Sequence, residues 1–309
     1  MVRAWTSRPP FAVIARAVLE SSPPDRRTIV RAGATASARC EEGIKPAVRA
    51  AAPVSGEGRY TGYDSFAWAY NRHWGSVFSE SVLPVIDRLI LRDLPERARI
   101  LDVCCGTGQL AGLLTKRGFR VTGLDGSKEM LGFARKNAPR AQFRVADVRS
   151  FRLAPEYDAA LSTYDSLNHV MTVDGLESVF RNVRAALKDG GRFLFDLNME
   201  EGYRTRWRGE SAIVEDDHVV AYRSSYSPEA REGRMEFTIF RKAGNGGWKR
   251  TDLTLTQRCY PEVEVRTALE RAGFDIVRVL DGGRDLEPFR NVGRAFFLAS
   301  KPAIPGPRP

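Results

Sequence analysis

Ile100-Leu101-Asp102-Val103-Cys104-Cys105-Gly106-Thr107-Gly108-Gln109-Leu110 reads as a buried strand, a tight glycine-bearing turn and the opening of a helix. Gly106 and Gly108 lack Cβ atoms, so the spacing predicts a turn whose backbone approaches a ligand closely. The helix that follows directs free N–H groups at whatever occupies the turn. Asp102, just before the turn, is a carboxylate where a phosphate-binding loop would avoid one. The ligand expected here is therefore a nucleoside carrying an amine rather than a pyrophosphate.

A second strand follows, Phe119-Arg120-Val121-Thr122-Gly123-Leu124, and Asp125 falls at its carboxyl end. An acid about 20 residues beyond a glycine turn is where a βαβ unit grips ribose hydroxyls. Capping of the helix that starts near Ser127 is the alternative role for Asp125.

Elements alternate around this unit. Helical patterning covers residues 65–74 and 79–91. Strands and helices then interleave over 99–104, 109–116, 119–124, 127–136, 141–146, 157–163, 174–187 and 192–197. Near-continuous apolar runs such as Arg99–Cys104 and Gly191–Leu197 fit parallel strands covered on both faces. The expected fold is α/β, a doubly wound, mostly parallel seven-stranded sheet with right-handed crossovers. Ligands of such sheets sit beyond the carboxyl ends of the strands, where Asp102, Asp125, Asp147 and Thr163 all fall. After Asn198 the period changes to two, over 213–214, 218–226, 234–242 and 247–260, predicting an inserted antiparallel meander across 203–260. A helix over 262–272 and strands over 274–280 and 294–299 close the domain, 58–302, with 303–309 as a tail.

Residues 1–57 are rich in Ala, Arg, Ser and Pro and read as a disordered or weakly structured extension. A transit peptide and a misplaced start site are the alternatives. The chain carries a net charge of +10 from 48 Lys and Arg against 38 Asp and Glu. The basic residues are scattered and belong to no nucleic-acid module, so nucleic acid is not the expected partner. No apolar run approaches a membrane span. The four cysteines, Cys40, Cys104, Cys105 and Cys259, show no metal spacing. Reduced thiols in a cytoplasmic protein are expected, and no metal.

The turn at 100–110, the acid in Gly123-Leu124-Asp125-Gly126-Ser127-Lys128-Glu129-Met130-Leu131 and the later Phe143-Arg144-Val145-Ala146-Asp147-Val148-Arg149-Ser150-Phe151 stand in the order of the class I S-adenosylmethionine-dependent methyltransferases, which residues 60–302 resemble. The likeness extends to a bacterial small-molecule subgroup through Tyr63-Asp64-Ser65-Phe66-Ala67-Trp68-Ala69-Tyr70-Asn71 and Asp165-Ser166-Leu167-Asn168-His169-Val170, with Asn71 in place of the subgroup's aspartate. The resemblance implies S-adenosyl-L-methionine as cofactor and S-adenosyl-L-homocysteine as product. It assigns the methionine amine and the ribose wall to Asp102 and the backbone of Cys104, Gly106, Thr107 and Gly108. The ribose hydroxyls fall to Asp125, the adenine to Gly126, Met130, Asp147 and Val148, and the rest of the cofactor wall to Thr163 and Tyr70.

His169 and Asp165, four apart after the fourth strand, are the candidate proton acceptors; a structural histidine is the alternative. Trp74, Asn168 and Tyr222 are candidate acceptor contacts. The expected reaction is methyl transfer to nitrogen or oxygen of a small-molecule acceptor. Two other readings stand beside it: a non-catalytic nucleoside-binding module with the meander as a protein interface, through which a homodimer would form, and a methyltransferase acting on RNA or protein. A nicotinamide-dependent dehydrogenase fits poorly, because Ala111 stands where G-x-G-x-x-G would place its third glycine. Cys105 as a nucleophile has no base beside it in sequence.

Overall fold

A computed structural model describes residues 62–303 apart from 245, 288 and 290. The reading of 1–57 and most of the 303–309 tail lie outside the described residues.

Two helices lead in, α1 (Ala67–His73) and α2 (Gly75–Leu89). The alternating core follows as β1 (Arg99–Val103), α3 (Gln109–Lys116), β2 (Arg120–Asp125), α4 (Lys128–Asn137), β3 (Gln142–Val145), β4 (Tyr157–Ser162), α5 (Val173–Ala186) and β5 (Leu187–Asn198). Then come α6 (Glu200–Arg206) and four strands, β6 (Gly209–Glu215), β7 (His218–Ser227), β8 (Glu232–Lys242) and β9 (Trp248–Arg258). The chain closes with α7 (Glu262–Arg271), β10 (Asp275–Asp281) and β11 (Arg294–Ser300).

The large sheet has seven strands in the order β10-β11-β5-β4-β1-β2-β3. β11 runs antiparallel to both its neighbours, β10 and β5, and the pairings of β1 to β5 are parallel. Successive β1 residues serve opposite faces, as the period of two requires. Leu101 and Val103 pack with α5 and α7, and Ile100 packs with α2 and α3. This two-sided burial explains why the strands are apolar at nearly every position. The doubly wound architecture expected from sequence is the one observed.

Differences lie at element ends. The second helix begins at Gly75, four residues before the apolar pattern signals it, with Pro84 in its interior. β5 begins at Leu187, the residue at which the helix was expected to end and five residues before the expected start of the strand. The meander, expected from residue 203, starts at Gly209, because α6 occupies Glu200–Arg206.

The meander is a separate four-stranded sheet, β6-β7-β8-β9. Its apolar face, carried by Val220, Phe237, Ile239 and Leu255, is covered within this chain by Phe66 and Trp74. Phe237 lies 4.4 Å from Phe66 and 6.2 Å from Trp74, centroid to centroid. At the far end, His73 Nε2 lies 2.8 Å from His218 Nε2, joining α1 to β7. The Asp217 carboxylate accepts from His218 Nδ1 at 2.6 Å. His218 Nε2 is then the acceptor, and His73 Nε2–H donates to it.

Burial, and then the facing His218, hold the His73 imidazole down at about 4. A neutral His73 contributes its full share of stability above its ordinary value near 6.5, and that share is lost as pH falls through 4. Thermal denaturation from pH 7 to pH 4 should therefore lower the melting temperature of the wild type more than that of His73→Gln. Parallel declines would show that the pair does not anchor the meander.

Candidate functional site

A cavity opens at the carboxyl ends of the parallel strands, between them and the meander. It encloses about 1460 Å³ of empty space, the open solvent at its mouth included. Its walls bring together Tyr70, Trp74, Cys104, Gly106, Asp125, Gly126, Met130, Asp147, Val148, Asp165 and His169 from the residues singled out in the sequence. Asp102, Thr107, Gly108, Thr163, Asn168 and Tyr222 do not line it.

Each of the two glycines in the β1–α3 turn has its own reason. Both are left-handed, with φ +54° at Gly106 and +77° at Gly108. Gly106 lines the cavity, and a Cβ there would meet only Tyr70 Cε1 at 3.6 Å. A Cβ on Gly108 would lie 2.8 Å from Cα of Ala134, inside the α3–α4 packing. Gly108 therefore lets two helices approach rather than a ligand. Thr107 is fully buried and donates through Oγ1 to Gln109 Oε1 at 2.6 Å.

Asp125 closes β2 against this turn. Its Oδ2 accepts from Gly106 N at 2.9 Å and its Oδ1 from Ser127 N at 2.9 Å. The helix cap is a different residue: the Ser127 hydroxyl accepts from Met130 N at 3.0 Å and donates to Asp64 at 2.5 Å. Burial pushes the Asp125 carboxyl up to about 6. Asp102 is 2% exposed and its Oδ2 has no partner. Burial first, and then Asp125, push it up to about 7. Asp147 faces Arg149, whose Nε and Nη2 both donate to its carboxylate. Those bonds hold Asp147 below its ordinary range. Burial drives both adjacent thiols, Cys104 and Cys105, well above the usual cysteine value, so neither serves as a thiolate nucleophile.

The other half of the cavity is organised by Asp196, near the end of β5. Its carboxylate accepts from Tyr164 N at 2.6 Å and from Asp165 N at 3.0 Å. Both residues are left-handed, φ +60° and +51°, a strained pair that needs such an anchor. Arg294, at the start of β11, donates to Asp196 and, at 2.6 Å, to Asp165. The other Asp165 oxygen accepts from Gln257 of β9. Gln257 is 2% exposed and also accepts from the Tyr203 hydroxyl at 2.8 Å. Asp165 is thus held on both oxygens.

His169 donates from Nδ1 to the Thr256 carbonyl at 2.7 Å, which leaves Nε2 as the acceptor of the Tyr63 hydroxyl at 2.8 Å. Burial lowers its pKa, so the ring is neutral near pH 7. Asn168 is wholly occupied by the backbone. It donates to the carbonyls of Asn198 and Arg258 and accepts from Asn198 N. It ties the large sheet to the meander. Tyr222 packs behind the wall against Phe237, ring centroids 5.7 Å apart. Sequence reasoning passed over Arg294, Asp196 and Gln257. The only local signal was an acid, Asp196, inside the apolar run of β5.

Comparison with known proteins gives the family. A family profile described as "Methyltransferase domain" matches residues 100–191. A protein of Bacillus subtilis (strain 168) named "Putative methyltransferase YqeM" is 30% identical over 248 residues, covering 77% of this chain and 97% of that protein. The chain belongs to the class I S-adenosylmethionine-dependent methyltransferases. A Streptomyces venezuelae relative, dTDP-3-amino-3,4,6-trideoxy-alpha-D-glucopyranose N,N-dimethyltransferase, is 29% identical over 224 residues, 72% of this chain and 91% of that one. Among solved structures, CalS10 with S-adenosylmethionine bound, an amino pentose methyltransferase from Micromonospora echinaspora, superimposes with a TM-score of 0.60. It is 25% identical and covers 80% of this chain and all of that one. Among the described residues, no helix of this methyltransferase is long and apolar enough to cross a membrane.

The two turn glycines give a test by urea denaturation. Gly106→Ala should cost about 1–2 kcal/mol, the strain of left-handed backbone alone. Gly108→Ala should add overpacking against Ala134, typically about 1–3 kcal/mol. Equal losses would contradict the separate roles.

Proposed function

We propose that this chain transfers the methyl group of S-adenosylmethionine to a nitrogen or oxygen of a small molecule held between the β4–β5 end of the cavity and the meander. The observation that carries this reading is Asp125. Its carboxylate stands in the cavity wall, fixed by two backbone N–H groups and by no cation among its hydrogen bonds. Remaining lone pairs on both oxygens suit a pair of ribose hydroxyls. Gly126 and Met130 lie beside it for the adenine, with Asp147 and Val148 in the same cavity wall. The unpartnered, buried Oδ2 of Asp102 behind the turn supplies negative potential for the cofactor's amine. Tyr70 and Trp74 cover the cavity from α1 and its end.

When bound, S-adenosylmethionine supplies a methyl group on a cationic sulfur, already activated for in-line displacement. The protein's task is then to align the acceptor, exclude water and take a proton. The meander wall of Met235, Phe237 and Leu255 keeps the acceptor end apolar. Asp165, held by Arg294 and Gln257, positions the loop. The proton route is Tyr63 to His169: the Tyr63 hydroxyl gives its proton to Nε2 of His169 as it takes one from the acceptor. The amino-sugar acceptor printed in the name of the Streptomyces venezuelae relative makes amino sugars the first compounds to assay.

Asp125→Ala should weaken S-adenosylhomocysteine binding about tenfold to a hundredfold, the loss of charged hydrogen bonds, as measured by calorimetry. Hydroxyl donors favour ionised Asp125, whose ligand-free value is raised to about 6. Wild-type affinity should therefore rise with pH through 6, with proton release on binding below it. A pH-independent affinity, or an unchanged Asp125→Ala, would remove Asp125 from the cofactor site.

Tyr63→Phe and His169→Ala should each slow turnover while leaving S-adenosylhomocysteine affinity intact. The pH–rate profile of the wild type should rise below the usual histidine range, because burial lowers His169. Undiminished turnover in both variants would leave catalysis to positioning alone.

A further inference from the structure

Arg206 ends α6 and lines the cavity at the end away from Asp125 and Asp147. Its guanidinium donates to the Val292 carbonyl and, at 2.8 Å, to Asn198 Oδ1. Both acceptors are neutral, and two bonds use only part of the five N–H groups of a guanidinium. Arg206 lines the cavity, and the N–H groups left over from these two bonds are the donors it can offer there.

The surrounding charges do not neutralise it by contact. Arg149 has Asp147, and Arg294 has Asp165 and Asp196, but among the described residues no carboxylate lies within ion-pair distance of Arg206. Asp165 reaches it only through its field, and both Asp165 oxygens are already bonded to Arg294 and Gln257. Glu201, on the same helix, pairs with Arg284 at 3.7 Å. Burial, and then the charge of Arg294, bring Arg206 down to about 10, still a cation at neutral pH. A partly buried cation whose partners are all neutral gains from an anion that completes it.

A Cβ on Gly202 would lie 2.5 Å from the Gly293 carbonyl oxygen and 2.7 Å from Arg206 Nη2, so this glycine lets the backbone leading into β11 approach α6 beside the guanidinium. Next to the carbonyl that Arg206 holds stands Asn291, 3% exposed and lining the same cavity, with an Oδ1 that has no partner. Trp207, Met235 and Leu255 supply apolar surface beside them. The guanidinium, a charge-assisted donor set in an apolar wall, forms a subsite for an anionic end of the acceptor, and Asn291 Oδ1, which only accepts, suits a hydroxyl beside that group rather than the anion itself.

We infer that Arg206 is an anion-binding subsite for the acceptor, so that the methylated molecule carries a carboxylate or phosphate group remote from the atom that receives the methyl. This rests on the reading of the cavity as a methyltransferase site. It makes Arg206 a determinant of acceptor choice and assigns it no part in the transfer itself.

The test uses the full chain loaded with S-adenosylhomocysteine and titrated with benzoate, phenyl phosphate and benzamide, which share a ring and differ in the charged group. At least one anion should bind about tenfold or more tightly than benzamide in the wild type. Whether benzoate or phenyl phosphate prevails tells carboxylate from phosphate. The preference should vanish in Arg206→Gln and return in part in Arg206→Lys. A purely bracing role for Arg206 would lower the melting temperature of Arg206→Gln and leave the anion-to-amide ratio unchanged, which overturns the inference, as does equal binding of all three probes to the wild type. Failure of the wild type to bind S-adenosylhomocysteine would instead overturn the reading of the cavity on which this one rests.

Discussion

A parallel sheet gathers its strand ends at one edge, and in this chain that edge is crowded with carboxylates. Asp102, Asp125, Asp147, Asp165 and Asp196 all fall at or just beyond the carboxyl ends of the first five strands. Like charges in a partly buried mouth raise one another's proton affinity, so each must be answered locally. Asp125 is answered by backbone N–H groups, Asp147 by Arg149, and Asp165 and Asp196 by Arg294. Asp102 keeps one oxygen unanswered. The cavity thereby divides into a half that holds acids ready for neutral hydroxyl and cationic amine donors and a half whose acids are consumed in positioning.

That second half depends on pieces distant in sequence. Arg294 arrives on the last strand, Gln257 on the last strand of the meander, and both meet at Asp165. The meander is therefore more than a cover. Through Gln257, Asn168 and the carbonyl of Thr256 it fixes the loop that carries His169, and through Phe237 it packs on the helix that carries Tyr70. A displacement of this small sheet would alter both the wall of the acceptor end and the lone pair of His169.

The order of elements, the strand faces and the two turn acids were legible because each rests on local pattern: apolar periodicity, a glycine turn, an acid at a strand end. The element ends were less so, since Pro84 within the second helix and the polar Glu200–Arg206 segment are decided by what packs on them. Residue roles failed to be legible where partners lie far along the chain. Gly108 looked like a ligand-approach glycine because it lacks a Cβ and stands in the turn after β1, yet the neighbour that excludes a Cβ is Ala134 on the next helix. Asn168 and Asp165 looked like free polar groups after β4, whereas Asn198, Arg258, Gln257 and Arg294 occupy them. Arg206, in an Arg-rich chain, is distinguished from its many neighbours only by what surrounds it in three dimensions.

The central claim is that the wall formed by Asp125, Gly126 and Met130 holds the nucleoside of S-adenosylmethionine and presents its methyl group toward Tyr63 and His169. A crystal structure of the chain grown with S-adenosylhomocysteine tests it most directly. The account predicts both ribose hydroxyls on the Asp125 carboxylate, the adenine between Met130 and Val148, and the sulfur facing the Tyr63 hydroxyl across the cavity. A nucleoside bound outside this cavity, or lying in it with its ribose away from Asp125, would contradict the account.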